Sequence, residues 1–251
     1  MLFHKLLRKT LKQFKNMNGF QNAARKGLYG QISNLMMLNR LEQVFTEKKI
    51  DCILDVGANS GQFIDSIGAI GFNGYIISFE PDPIVFEKLK NHAATNSKWI
   101  TNNLALGNKD TNLVFNRMES SCLNSFLNPS ASMNNFFANG GSVCEQITVP
   151  VRRLDNILSE LQTKYQFNNI FLKIDTQGYD LKVFEGSSGC LDFIDGILCE
   201  IPEQFLYNEM PTFVDYLQTI PQHGYVTSGV YPVHETNFPS PIEFNVIFVR
   251  K

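Results

Sequence analysis

The chain has only one tryptophan and five cysteines among 251 residues, and no Cys-x-x-Cys pair. An odd cysteine count without paired spacing suggests neither a disulfide framework nor a zinc site. Cys52 and Cys199 sit inside apolar runs and read as small core residues, so a reducing, cytoplasmic setting is expected. No apolar run reaches the length of a membrane span. The N-terminus lacks a continuous apolar segment followed by a cleavage site, so no secretion signal is expected. Basic excess is missing too. Lys and Arg number 22 against 24 Asp and Glu, a net charge of −2, which argues against a nucleic-acid partner. Dense carboxylate clusters are absent as well, and no metal is assigned. There is no internal repeat.

What is present is 43% hydrophobic residues, enough for one large core and against global disorder. The organising stretch runs from Ile50 to Pro81. An apolar run, Cys52-Ile53-Leu54, leads into a loop of small residues, Asp55-Val56-Gly57-Ala58-Asn59-Ser60-Gly61. Phe63, Ile64, Ile67 and Ile70 then recur at helical spacing up to Gly71, and Tyr75 to Phe79 is a second apolar run ending at Glu80. This pattern predicts strand, tight turn, helix and strand, a nucleotide-binding βαβ unit. Gly57 and Gly61 let the loop turn sharply against a ligand. The helix N-terminus near Ser60 favours a negative group. Glu80 can accept hydrogen bonds from the two hydroxyls of a ribose. The Gly57-x-x-x-Gly61 spacing departs from the dinucleotide fingerprint G-x-G-x-x-G.

Residues 1–20 interleave Lys5, Arg8, Lys9, Lys12 and Lys15 with apolar residues and carry no acid. That basic amphipathic pattern suits an anionic membrane surface, or docking on its own domain or on a second copy as a homodimer. Ile32 to Lys48 predicts a helix with Leu35, Leu38, Leu41 and Phe45 on one face, covering the cofactor's side. The division expected is a helical extension over 1–48 and a main domain over 49–251, interrupted by a polar insertion at 119–145.

Further helices are expected from Pro83, over Leu154 to Tyr165, Leu181 to Gly186, and from Met210 or Pro211 to Ile220. Strands are expected over Trp99 to Asn103, Thr111 to Arg117, Gln146 to Val151, Asn169 to Ile174, Asp195 to Glu200, Tyr225 to Val230 and Ile242 to Val249. His92 reads as structural. The insertion, rich in Ser, Asn and Gly, reads as a lid or substrate loop.

Five ordered segments carry a resemblance: I-L-D-V-G-A-N-S-G, S-F-E-P-D-P, N-L-A-L-G, R-R-L-D-N-I-L and L-K-I-D-T-Q-G-Y-D. Together, over roughly Asp51 to Gly224, they resemble the FkbM family of S-adenosylmethionine-dependent methyltransferases. K-I-D-x-Q-G is the most specific of them. The resemblance implies an α/β fold of the Rossmann-like class I type, with a seven-stranded sheet, mostly parallel, an antiparallel last strand and helices on both faces. It implies S-adenosyl-L-methionine as cofactor and O-methylation of a hydroxyl on a sugar, a glycan or a secondary metabolite. Asp180 stands where the family usually has Glu.

Carried over to this sequence, the resemblance implies that Asp55, Gly57, Ala58, Asn59 and Gly61 shape the methionine end of the pocket. Glu80 and Pro81 would lie at the ribose, Asn103 and Ala105 at the adenine, and Ser121 over the cofactor. Asp175 would sit beside the transferring methyl.

A sugar hydroxyl is a poor nucleophile, so a base should take its proton. Asp175 is the first candidate, Glu200 the second and His234 the third, with Lys173 and Tyr179 as acceptor contacts. Two alternatives stay open: a nicotinamide-dependent oxidoreductase on a similar sheet, and a non-catalytic module that keeps the fold.

Overall fold

The computed structural model describes residues 28–137, 140–233 and 241–251. The basic segment 1–20 and His234 lie outside the described residues. In chain order the strands are β1 (Cys52–Val56), β2 (Tyr75–Phe79), β3 (Trp99–Asn102), β4 (Ala105–Leu106) and β5 (Thr111–Met118). They continue as β6 (Val143–Arg152), β7 (Ile170–Ile174), β8 (Ile194–Pro202), β9 (Tyr225–Val233) and β10 (Glu243–Arg250). The helices are α1 (Leu28–Glu47), α2 (Gln62–Ala69), α3 (Pro83–Ala93), α4 (Met133–Phe136), α5 (Leu154–Tyr165), α6 (Asp180–Glu185) and α7 (Phe213–Gln222).

Seven strands form one sheet in the order β3-β2-β1-β7-β8-β10-β9. β1 pairs in parallel with β2 and β7, β2 with β3, and β7 with β8. β10 runs antiparallel to both β8 and β9, so the last strand is the reversed one, as expected. β1 and β7 are buried along their whole length, which is why both read as short, almost unbroken apolar runs. The strand order reverses direction between β1 and β7. Ligands of open α/β sheets bind in the crevice outside the carboxyl ends of the strands at such a point.

The two sheet faces carry separate cores. On one, Leu38, Leu41 and Phe45 of α1 and Ile64 and Ile67 of α2 pack on Ile53, Ile76, Phe171 and Leu198. On the other, Leu154 and Leu158 of α5 and Tyr216 and Ile220 of α7 pack on Leu54, Ile77, Leu172 and Ile197. The apolar stripe of α1 was expected to cover the cofactor's side. Its face is spent on the sheet instead, and Ser33 Oγ donates to Pro232 O of β9 at 2.9 Å. Among the described residues no helix is long and apolar enough to cross a membrane.

A second sheet, β4-β6-β5, stands beside the carboxyl ends of the first. β6 begins at Val143 rather than Gln146, because its pairing with β5 continues past an irregularity at Arg117 and Met118. The 119–145 insertion is tied into the protein. It holds a 3-10 turn at Ser121–Leu123 and α4, and its Leu123 and Met133 bury against Leu206, Tyr207 and Met210. α7 starts at Phe213, where Thr212 and Asp215 form a reciprocal capping box.

Candidate active site

A cavity of about 220 Å³ opens over the carboxyl ends of β1, β2 and β7. Gly57, Ala58 and Asn59 form its floor, Glu80 and Pro81 one side, and Ala105, Leu106, Phe115 and Phe126 an apolar wall. Ser121 and Cys122 of the insertion face it, as do Lys173, Asp175 and Gln177.

Gly57 has φ +73°, and a Cβ there would meet the Asp175 carbonyl oxygen at 1.8 Å. Only glycine lets the loop after β1 lie this close to β7. Glu80 is buried, and its two carboxylate oxygens accept from Asn59 N and Asp82 N, each at 2.9 Å. Burial pushes its pKa up to about 7, against those two backbone bonds.

Behind the floor runs a buried polar chain. Trp99 Nε1 donates to Ser78 Oγ at 2.9 Å, and Ser78 Oγ to Asp55 Oδ2 at 3.1 Å. Lys173 Nζ lies 3.1 Å from Asp55 Oδ1 and 3.4 Å from Asp175 Oδ2, and donates to Gly57 O at 2.9 Å. Burial alone would lower the Lys173 pKa, but Asp55 and Asp175 outweigh it and raise it. Lys173 therefore stays charged and fixes Asp175 from one side.

Gln177 fixes it from the other. Its φ of 54° and the 88° of Gly178 make a left-handed turn after β7. The turn is held by Asp180, which accepts from Thr176 N at 3.2 Å, Gly178 N at 3.1 Å and Tyr216 Oη at 3.2 Å. Burial, then Asp175, pushes Asp180 up to about 6. Gln177 Nε2 bridges Asp175 Oδ1 at 3.1 Å and Glu200 Oε2 at 3.0 Å.

A second cavity, of about 440 Å³, adjoins the first and shares Cys122, Asp175 and Gln177 with it. Ser120, Leu123, Phe137, Gly140, Glu200 and Glu243 complete its lining. Burial, then Glu243 and Asp175, raises the Glu200 pKa well above the usual carboxylate range. Burial, then Asp175 and Asp180, pushes Glu243 up to about 8.

The domain family described as Methyltransferase FkbM domain matches residues 55–227. The chain belongs to the FkbM methyltransferase family. Membership brings S-adenosylmethionine as the methyl donor. No curated protein matches it. Among solved structures, an rRNA methylase from Streptococcus thermophilus is 10% identical, with 86% of this chain and 94% of that chain covered and a TM-score of 0.45. A protein assigned as an S-adenosylmethionine-dependent methyltransferase from Listeria monocytogenes is 9% identical, covering 83% and 98%, at a TM-score of 0.44. The pre-rRNA processing protein fibrillarin of Methanococcus jannaschii is 10% identical, covering 80% and 66%, at 0.44. Nothing about substrate is carried over from these distant likenesses.

The residues of this FkbM methyltransferase fit the donor. Glu80 offers a buried carboxylate to a ribose, and Gly57 leaves a cradle that a Cβ would fill. Gly57, Ala58, Asn59, Glu80, Pro81, Ala105, Ser121 and Asp175 all line the first cavity.

Three other expected contacts do not line it. Asp55 is 0% exposed, turned back to Ser78 and Lys173. Gly61 begins α2 with φ 97°, and a Cβ there would meet the Trp99 ring at 2.7 Å. Asn103 Nδ2 is spent on Glu80 O at 2.8 Å and Pro81 O at 3.2 Å. Glu200 lines the second cavity rather than the first.

Lys173 reaches the first cavity but not the second, and Tyr179 lines neither, because its ring packs on Phe126. His92 lies on the surface, its Nδ1 2.9 Å from Ser60 O and its Nε2 3.1 Å from Asp65 Oδ1. Gln177, Cys122 and Glu243 were missed. The K-I-D-x-Q-G segment already contained the signal for Gln177.

Proposed function

We propose that the protein transfers a methyl group to a hydroxyl of a sugar, a glycan or a secondary metabolite. The observation that carries this reading is that two cavities meet at Asp175, one with the features of a donor pocket and the other free to take an acceptor. Membership in a methyltransferase family speaks against the nicotinamide reading.

S-adenosylmethionine, when bound, would supply a methyl carbon on a positively charged sulfur able to keep the electron pair of the broken C–S bond. Glu80 would receive the ribose hydroxyls, and the wall of Ala105, Leu106 and Phe115 would take the adenine ring. The loop at Gly57 to Asn59 would hold the amino-acid end. Asp175 receives the proton of the acceptor hydroxyl as its oxygen forms the new C–O bond. Gln177 and Lys173 hold the Asp175 carboxylate at its two oxygens, which restricts its orientation before reaction. Glu200, bonded to the same Gln177, is the second candidate for the proton.

Asp175→Asn tests this. In a labelled methyl-transfer screen against sugars, nucleotide sugars and polyketide-like alcohols, kcat should fall about 100- to 10,000-fold. Affinity for the donor should stay within about threefold. Near-full turnover in that variant removes Asp175 from the chemistry, and a wild type that transfers to no hydroxyl removes the acceptor class.

A further inference from the structure

We infer that the 440 Å³ cavity takes an acceptor that carries an ammonium group beside its reacting hydroxyl, with Glu243 as the residue that holds the cation. The inference rests on the O-methyltransferase reading and names a narrower substrate class for the same site.

Three carboxylates, Asp175, Glu200 and Glu243, line this cavity, and among the described residues no Lys, Arg or His does. Two of the three are engaged. Asp175 meets Gln177 and Lys173, and Glu200 meets Gln177. Glu243 is 6% exposed, and no described residue gives its carboxylate a hydrogen bond or an ion pair. It stands apart from the other buried acids. Asp82 accepts from Ile84 N, Arg117 and Asn124; Asp180 accepts from two backbone N–H groups and Tyr216; Glu80 accepts from two backbone N–H groups.

Among the described residues Glu243 is the buried acid that opens into this cavity without a hydrogen-bond or ion-pair partner. A neutral polyol offers Glu243 hydroxyl donors but no charge to draw off its proton. An organic cation offers both N–H donors and charge.

The register sets the geometry. Glu243 pairs with Pro202 and Asn245 with Glu200 across β10 and β8, so Glu200 and Glu243 are diagonal neighbours on one side of the sheet. Asp175 lies at the other end of the cavity's carboxylate row, where the first cavity begins. An amino sugar or amino alcohol would direct its hydroxyl to Asp175 and its ammonium to Glu243. A protonated amine has no lone pair, so the hydroxyl is the group that is methylated. Among the described residues no three His, Cys, Asp or Glu side chains converge closely enough to hold a metal ion, which favours a larger cation.

Calorimetric titration of the full chain with glucosamine and with glucose, at equal ionic strength and near neutral pH, tests this. It is run both with and without bound S-adenosylhomocysteine. Glucosamine should bind at least about tenfold more tightly than glucose. Glu243→Gln should erase that difference. Equal affinities, no glucosamine binding at about 20 mM, or a preference that survives in Glu243→Gln overturns the inference. So does Mg²⁺ binding that depends on Glu243 and exceeds that of glucosamine. Absence of S-adenosylhomocysteine binding counts against the donor pocket alone, since the ligand-free titration still decides between the two sugars.

Discussion

At the scale of single residues, Lys173 carries the most strain if altered. It is buried between Asp55 and Asp175, and Asp55 is fully buried. Lys173→Met would leave an uncompensated carboxylate in the core, so urea denaturation should report a loss of about 3–5 kcal/mol. Gly57→Ala should be comparably damaging, by more than about 2 kcal/mol, since its Cβ would overlap a β7 carbonyl and φ is positive. Glu80 gives a pH effect on binding. With its pKa near 7, it gains acceptor strength for ribose hydroxyls as it loses its proton. Donor affinity should therefore rise from pH 6 to pH 8, and Glu80→Gln should flatten the profile in calorimetry. A constant affinity across that range in the wild type would contradict this role.

At the scale of elements, the short sheet and the insertion act as a cover fastened to the donor pocket. Arg117 of β5 donates to Asp82 Oδ2 at 2.9 Å and pairs with Glu145 of β6. Asn124 Nδ2 donates to the same Asp82 oxygen at 3.1 Å, and Asn59 Nδ2 to Ser121 Oγ at 3.3 Å. Arg117→Ala should loosen this cover and weaken donor binding about 3- to 10-fold while changing Tm by only a few degrees. Unchanged affinity would mean that the cover is held elsewhere.

This level also marks what could be read from the chain. β1, α2 and β2 were legible because their apolar spacing and glycine punctuation are local. The reach of β6, the destination of α1 and the place of Glu243 were not. Each depends on a partner far along the chain: β5 across the insertion, β9 some two hundred residues on, and β8 across an antiparallel pairing. Asn103 looked like a ligand contact because its position matched the family pattern, but its amide is spent on the carbonyls of Glu80 and Pro81.

For the whole molecule, the buried acids make stability depend on pH in an unusual direction. Glu80 is raised from 4.5 to about 7, Glu243 from 4.5 to about 8 and Asp180 from 3.8 to about 6. Between the usual and raised values the folded state binds more protons than the unfolded state, so unfolding free energy falls as pH rises. The ligand-free protein should lose stability from about pH 5 to pH 8, by an amount on the order of 1 kcal/mol per pH unit for each group at most. Glu243→Gln should reduce that slope. Asp155, lowered first by its bond to Arg153, works in the opposite sense, but only in more acidic solution.

Donor binding in the crevice where the parallel sheet reverses its order is tested most directly by calorimetry of S-adenosylmethionine with the wild-type chain and with Glu80→Gln. Dissociation in the micromolar range is expected for the wild type, and at least about tenfold weaker binding for the variant. No binding to the wild type at millimolar donor, or equal affinity in the two proteins, would contradict it.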